Sequence, residues 1–478
     1  NERDLFRMVS GLDGYFSLGD TEFSWDLFYV YGETNNTRVT ENDLIEDNFA
    51  AAVNSMIDPV SGDAVCVDMT AGSVNAADCV AYNPFGFDQA SDEAKDWVSA
   101  DVTRTDQITQ EIIGGSISSD TEQFLVLQGG PIGFAAGFEY REEAYSSITD
   151  EFTKSGVLSG AATPDEFGEY DVTEGFVEIS LPILAGLPFA EELTLDAAYR
   201  TADYSHAGKT DAWKVGLMYA PIDDVRIRAT LGEAVRAPNL SEAFSPLSPG
   251  FANISDPCDA DNIDDDPDRA ANCLALGIPA GFEANDNVSI DTLSGGNSEL
   301  FSETSSSTTV GIVWTPSFVE NLSLTVDYYE IEIEDAIISV ASQNVIDNCV
   351  DATGSLDDLY CSAIDRDPIT NDISLVRSGF LNAAALNVSG IESEINYKTS
   401  LDSFNLPGDL ALKFFVSKLI ELEQFEFQDR PDEINVETGE VGDPELQMRM
   451  SATYMLDNLT VNWSARSIDS VVTYDVSP

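Results

Sequence analysis

The most constraining feature of this sequence is the way its apolar residues alternate along long segments joined by connections of two kinds. Phe23, Trp25, Leu27, Tyr29 and Tyr31 fall on one face of an extended chain, against Glu22, Ser24 and Asp26. Val225, Ile227, Ala229 and Leu231 alternate in the same way with Arg226, Arg228 and Thr230, and Leu459, Val461, Trp463 and Ala465 with Asn462, Ser464 and Arg466. Period two is the signature of a strand with two unlike faces. The pattern predicts strands at 3–18, 21–34, 106–118, 132–147, 170–183, 192–205, 210–221, 224–236, 302–315, 322–338, 374–400, 408–426, 444–456 and 459–470. Most of these reach 12 residues or more, whereas strands of soluble proteins average about 5–6. A tilted strand that crosses a bilayer needs about 9–11.

The connections alternate as well. Short turns at 19–20, 222–223, 316–321, 401–407 and 457–458 fall at one end. Long polar excursions near 35–105, 148–169, 237–301, 339–373 and 427–443 fall at the other, with one short exception at 206–209. Short turns on one side and long loops on the other characterise outer-membrane barrels. The fold class expected is therefore all-β, a transmembrane antiparallel β-barrel with long extracellular loops. One strand changes phase: Leu322, Leu324, Val326 and Tyr328 are even, Ile331 and Ile333 odd. Either a β-bulge near Tyr329 or departure of the strand from the membrane accounts for this. In the 35–105 excursion, Phe85, Phe87 and Trp97 point to some packing.

Composition removes several function classes. The 478 residues carry 22 Lys+Arg against 86 Asp+Glu, a formal charge of −64. Nucleic-acid binding needs clustered bases, so no nucleic-acid partner is expected. With 43% hydrophobic and 10% aromatic residues, the chain is not a disordered one. His206 is the single histidine, which argues against His-based triads and zinc sites. No glycine-rich phosphate loop opens a helix, and the chain is expected not to be an enzyme. The sequence starts and stops in strand-like pattern, and reads as a piece of something longer.

The six cysteines fall as Cys66/Cys79, Cys258/Cys273 and Cys349/Cys361, inside polar loops and on one side of the predicted barrel. They read as three local disulfide staples in an oxidising compartment. Asp256, Asp259, Asp261, Asp264, Asp265, Asp266 and Asp268 crowd one of these loops. Five of them (Asp259, Asp261, Asp264, Asp265 and Asp266) are candidate Ca²⁺ ligands, since hard cations take carboxylate oxygens. The pattern lacks the glycine and closing Glu of an EF-hand, and a solvated acidic loop, bridged by divalent ions to lipopolysaccharide, is the competing reading. The strand aromatics Trp25, Tyr29, Trp314, Tyr328 and Trp463 suit a lipid-interface girdle better than a stacking platform. Arg226 and Arg228 are lumen-facing candidates, for structural pairing or for guiding an anion.

Four segments resemble the barrel of TonB-dependent outer-membrane receptors. Arg236-Ala237-Pro238-Asn239-Leu240, followed by Glu242 and Phe244, resembles the family's strand-to-loop exit, and Asn297 to Glu303 its re-entry, with serines where the family has prolines. Gly130-Pro131, with Glu139-Tyr140-Arg141, is similar to an earlier strand, and Gly390-Ile391-Glu392 to a late one. They occur in the family's order over residues 130–395. The resemblance implies a barrel of 22 strands, of which 14 are readable here, so that residues 1–478 would be a partial barrel domain. The plug, the TonB box and the aromatic C-terminal strand have no counterpart in these residues. It further implies energised uptake of a scarce nutrient across a Gram-negative outer membrane, driven by the TonB–ExbB–ExbD complex, with a surface lipoprotein as a further partner. Ferric chelates, oligosaccharides, peptide-like compounds and vitamins are the cargo classes, and the acidic surface favours neutral or cationic ones. The alternatives are a passive pore or barrel scaffold without TonB coupling, and a secreted soluble β-protein.

Overall fold

In the computed structural model the described residues are 1–66, 79–87, 89–285, 289–352, 356, 358–427 and 434–473. Fourteen wall strands carry the architecture: β1 (Glu2–Leu18), β2 (Thr21–Leu44), β3 (Ser99–Asp120), β4 (Gly133–Thr149), β5 (Glu166–Leu187), β6 (Ala190–Tyr204) and β7 (Gly208–Ile222). The second half adds β8 (Val225–Arg236), β9 (Glu303–Trp314), β10 (Leu322–Ser339), β11 (Ile373–Ser400), β12 (Asp409–Phe425), β13 (Leu446–Leu456) and β14 (Leu459–Ile468). Each strand pairs antiparallel with the next one in sequence, which makes one up-and-down meander. All fourteen segments expected from the alternation are present.

Register explains the alternation. Tyr219, Ile227, Ile312, Val326 and Ser393 lie in one cross-strand row, and Leu217, Ala229, Val310, Tyr328 and Ile391 in the next. The same face continues through Ile395, Phe414, Met450 and Ala465 to β14. This face is an apolar band, with Val310, Ile312, Met450 and Trp463 all more than two-fifths exposed. The opposite face is polar and stitched by ion pairs. Apolar outside and polar inside is the membrane-barrel arrangement, inverted from a soluble core.

Three expectations need correction. The loop expected over 35–105 is shorter, because residues 35–44 continue β2 and pair with 99–107 of β3. Its packing does not involve Phe85 and Phe87, which are 81% and 96% exposed; among the described residues there, Ile45, Ala52, Ala94 and Val98 are buried. No bulge occurs in β10 at Tyr329. The ladder to β9 runs unbroken from Leu324 to Glu334, and the register with β11 shifts beyond Ile333, around Asp335 at φ +57°. Ile331 and Ile333 thus sit on the inner face, level with Val388 and Leu386 of β11.

Glycines on the inner face mark where a large side chain crosses from the neighbouring strand. A Cβ on Gly311 would collide with the Asp327 carboxylate and lie 2.9 Å from Arg228 Nε, because that ion pair passes directly over it. A Cβ on Gly390 would lie 2.5 Å from the Tyr329 hydroxyl, and one on Gly137 would meet the Phe176 ring at the same distance. Gly311→Ala is expected to destabilise the wall by about 1–3 kcal/mol, since filling a packed site forces its neighbours to shift. Gly32→Ala, where a Cβ meets nothing within 4 Å, serves as the control. Urea midpoints followed by tryptophan fluorescence measure both, and equal midpoints for the two variants would contradict the assignment.

Candidate functional site

At the long-loop end, the connections 237–302 and 340–372 fold together into one cap with its own apolar core. Cys258, Cys273, Ile278 and Phe282 from the first loop pack with Val345, Ile346, Cys349 and Val350 from the second, and Phe427 joins from beyond β12. Ile346, Val350 and Cys349 are each 1% exposed. The disulfides Cys258–Cys273 and Cys349–Cys361 brace the two halves, and Cys66–Cys79 closes a third loop, as the local pairing predicts. A short strand, Ile290–Gly295, also pairs in parallel with the start of β11, Asp291 opposite Leu375 through Gly295 opposite Gly379.

Charge joins the halves reciprocally. Arg269 is the one basic residue in 237–302, and it reaches into the second loop, donating to both oxygens of Asp351 at 2.7 and 2.8 Å. Arg366 is the one basic residue in 340–372, and it reaches back to Asp256 at 2.5 and 2.9 Å. Asn272 adds donations to the Val350 and Ala352 carbonyls. Guanidinium forks on carboxylates are geometrically exacting as well as strong. Neither arginine stood out in the sequence by motif. The available signal was that each is the sole cation of an acidic loop.

The residues carrying the family resemblance meet where the cap leaves the wall. Arg236, at the end of β8, grips Glu303 of β9 at 2.5 and 2.6 Å and Glu242 at 3.0 Å. Asn239 and Glu242 form a capping box on the helix Leu240–Phe244, each side chain bonded to the other's backbone N–H. Glu303 also accepts from the Ile337 N–H. Pro238, which offers no N–H, follows Ala237 at the end of the ladder and is fully buried, with its carbonyl on His206 Nε2 at 2.9 Å. Asn297 binds the Glu242 and Phe380 carbonyls, which draws the returning chain to the same corner.

Elsewhere these residues are apart. On β4, Arg141 lies between Glu139 and Glu143 at 3.6 and 3.3 Å on the inner face, while Tyr140 alternates to the outer one. Gly390 lies under Tyr329, and Glu392 stands opposite Asp327. Arg228 forks onto Asp327 at 2.9 and 2.7 Å, and Arg226 lies 3.4 Å from Glu192.

In this structure the five candidate carboxylates of the acidic loop do not converge. Asp259 is 7% exposed and accepts from the Asp261 and Ala284 N–H groups, Asp265 leans on Arg269, and Asp266 accepts from the Asp268 N–H. With Asp261 and Asp264 they bring no three carboxylates together: among the described residues no group of three such ligands converges. The aspartates instead shape the loop by accepting backbone donors.

Loop 150–165 is held by carboxylates too. Asp165 accepts from the Thr149 N–H and pairs with Lys154, and these hold its pKa below the ordinary value. Burial pushes Asp150 up, but bonds from Thr153, Thr103 and Phe152 outweigh it and the net shift is downward. A depressed pKa contributes stability above the unfolded value, about 3.9, that is lost as pH falls through the folded one. Amide protection at Thr149 and Thr103, corrected for intrinsic exchange, is expected to hold at pH 6 and collapse below about pH 4. For the cap, Arg269→Ala is expected to cost it up to about 3–5 kcal/mol by leaving Asp351, whose side chain is only 11% exposed, without its partner. Amide exchange should rise over 342–351 and leave the wall strands unchanged; protection retained in the variant would contradict the stitch.

The whole arrangement has counterparts. A family model described as TonB dependent receptor-like, beta-barrel, matches residues 9–477. Among solved structures, the siderophore receptor PirA from Acinetobacter baumannii superposes with a TM-score of 0.52 at 13% identity, over 98% of this chain and 52% of that receptor. The ferric enterobactin receptor PfeA from Pseudomonas aeruginosa gives 0.52 at 13% identity, over 97% and 49%. This chain thus spans about half the length of the receptors it resembles, and at such identity the likeness is one of fold. No curated protein sequence matches it. The chain belongs to the TonB-dependent receptor-like β-barrel family, whose members are outer-membrane transporters and not enzymes.

Proposed function

We propose that this chain forms most of the wall and the extracellular cap of an active transporter that draws a scarce nutrient across the outer membrane, powered by the TonB–ExbB–ExbD complex. The observation that carries this is the folded cap: a permanently cross-linked structure at the long-loop end suits selective capture better than open diffusion. The polar, ion-paired inner face suits passage of a hydrophilic solute. A ferric chelate is the first cargo to test, because the two receptors of similar fold are a siderophore receptor and a ferric enterobactin receptor. An oligosaccharide is the second.

The wall also belongs to something larger in this reading. Among the described residues β1 pairs only with β2, and β14 only with β13. Lipid offers no partner for a bare strand edge. Further strands outside this sequence therefore close the ring, and the natural protein is expected to have an intact mass about twice the 51.7 kDa of these residues, in proportion to the share of the similar receptors that the chain covers.

The test is uptake by cells that express the natural protein. Accumulation of labelled ferric chelate or oligosaccharide should depend on the protein and fall to background when the proton-motive force is collapsed. Uptake that survives the collapse, with steady single-channel conductance in planar bilayers, would overturn the active reading and establish a passive pore.

A further inference from the structure

The inner face of the wall bridges some of its opposed like charges. Glu139 and Glu174 stand directly opposite across β4 and β5, and Arg141 and Arg200 sit against them. Asp327 stands opposite Glu392, and Arg228 takes up Asp327. Among the described residues, Asp13 opposite Asp26 and Arg449 opposite Arg466 have no such bridge, and a third pair, which lines a cavity, leaves one member without an ion pair. Arg38 of β2 is directly opposite Arg104 of β3, in an unshifted stretch of ladder. Both alternate in phase with Asp26 and Ser116, whose side chains bond each other on the inner face. Like charges directly opposed across a ladder are destabilising.

Arg104 has partners in Asp106 at 2.8 Å and the Tyr145 hydroxyl at 3.2 Å. Arg38 makes no ion pair or side-chain hydrogen bond among the described residues. Both arginines line a cavity of about 250 Å³ at the long-loop end, roofed by 150–163 and walled in part by Thr40 and Thr103. Two carboxylates share that wall, and each is already engaged: Asp150 accepts from the N–H groups of Thr103, Phe152 and Thr153, and Asp43 from that of Leu44. Neither lies within ion-pair distance of Arg38 or Arg104. In a chain of charge −64, this is a pocket with two guanidiniums, one of them uncommitted.

We propose that Arg38 and Arg104 form a binding site for a small oxyanion on the inner face of the wall at its long-loop end. Its ligand is a phosphate or carboxylate group on a solute, since the arginines face away from the lipid side. A guanidinium binds two oxygens of such a group in parallel, and an anion between the arginines relieves their repulsion. The site requires no TonB coupling and holds whichever cargo the barrel carries.

Inorganic phosphate is the probe, added to the natural protein in detergent at constant ionic strength set with chloride. Phosphate is expected to raise the thermal midpoint at millimolar concentration. Arg38→Gln should weaken the phosphate affinity at least about tenfold, the worth of a charge-assisted contact. In chloride alone that variant should be no less stable than the parent, because it removes a repelled charge. Lys209→Gln, at the exposed start of β7 and outside the cavity, should respond to phosphate as the parent does. No phosphate response in the parent, or an undiminished one in Arg38→Gln, overturns the site.

Discussion

Everything in this molecule follows from the need to pair every backbone N–H and C=O along strands that cross a medium without water. An unmet group in hydrocarbon costs several kcal/mol, so the ladder is continuous from β1 to β14 and each strand takes its neighbour in sequence as partner. Once that ladder exists, side-chain period two divides each strand between lipid and lumen. The apolar band and the ion-paired inner face are two halves of one constraint. The inner glycines belong to it as well: the pair Arg228–Asp327 and the ring of Tyr329 can cross to the next strand only where Gly311 and Gly390 present no Cβ.

The cap obeys different rules. It is wetted, acidic and cross-linked, and it builds a core of ordinary aliphatic residues like any small extracellular domain. Disulfides in such places compensate for a modest core. Its two halves come from loops separated by the hairpin β9–β10, so the hairpin is framed by the structure it supports. The corner at Arg236, Glu242 and Glu303 is the joint between these two regimes, with one guanidinium serving a wall strand and a loop helix together.

The wall was legible in the sequence because a membrane enforces a simple code. Val225 to Leu231 and Leu459 to Ala465 announce a lipid face with no knowledge of their partners. The local cysteine pairs were legible too, since short loops bring their ends together readily. The cap's interior was not. Which aspartate meets Arg269 or Arg366 depends on how two loops dock, and acidic residues are so numerous that their positions carry no information. The aspartates at 259–266 suggested an ion site for the same reason, whereas Asp259 and Asp266 accept backbone donors and Asp265 pairs with Arg269. Strand ends were also missed: 35–44 and 99–105 are mostly polar on both faces above the membrane, so alternation falls silent although the ladder continues.

The spacing of the disulfides bears on assembly. They close segments of 13, 15 and 12 residues, and each lies within a single loop. None bridges one loop to another or spans a wall strand. Thiol oxidation is therefore independent of the order in which strands enter the bilayer, and it can be complete on a chain still waiting in the periplasm. A cross-link between the two cap loops would have tied the ends of β9–β10 together before insertion. Holding them instead through Arg269 and Arg366, by bonds that form and break freely in water, leaves the chain unknotted until the wall is built.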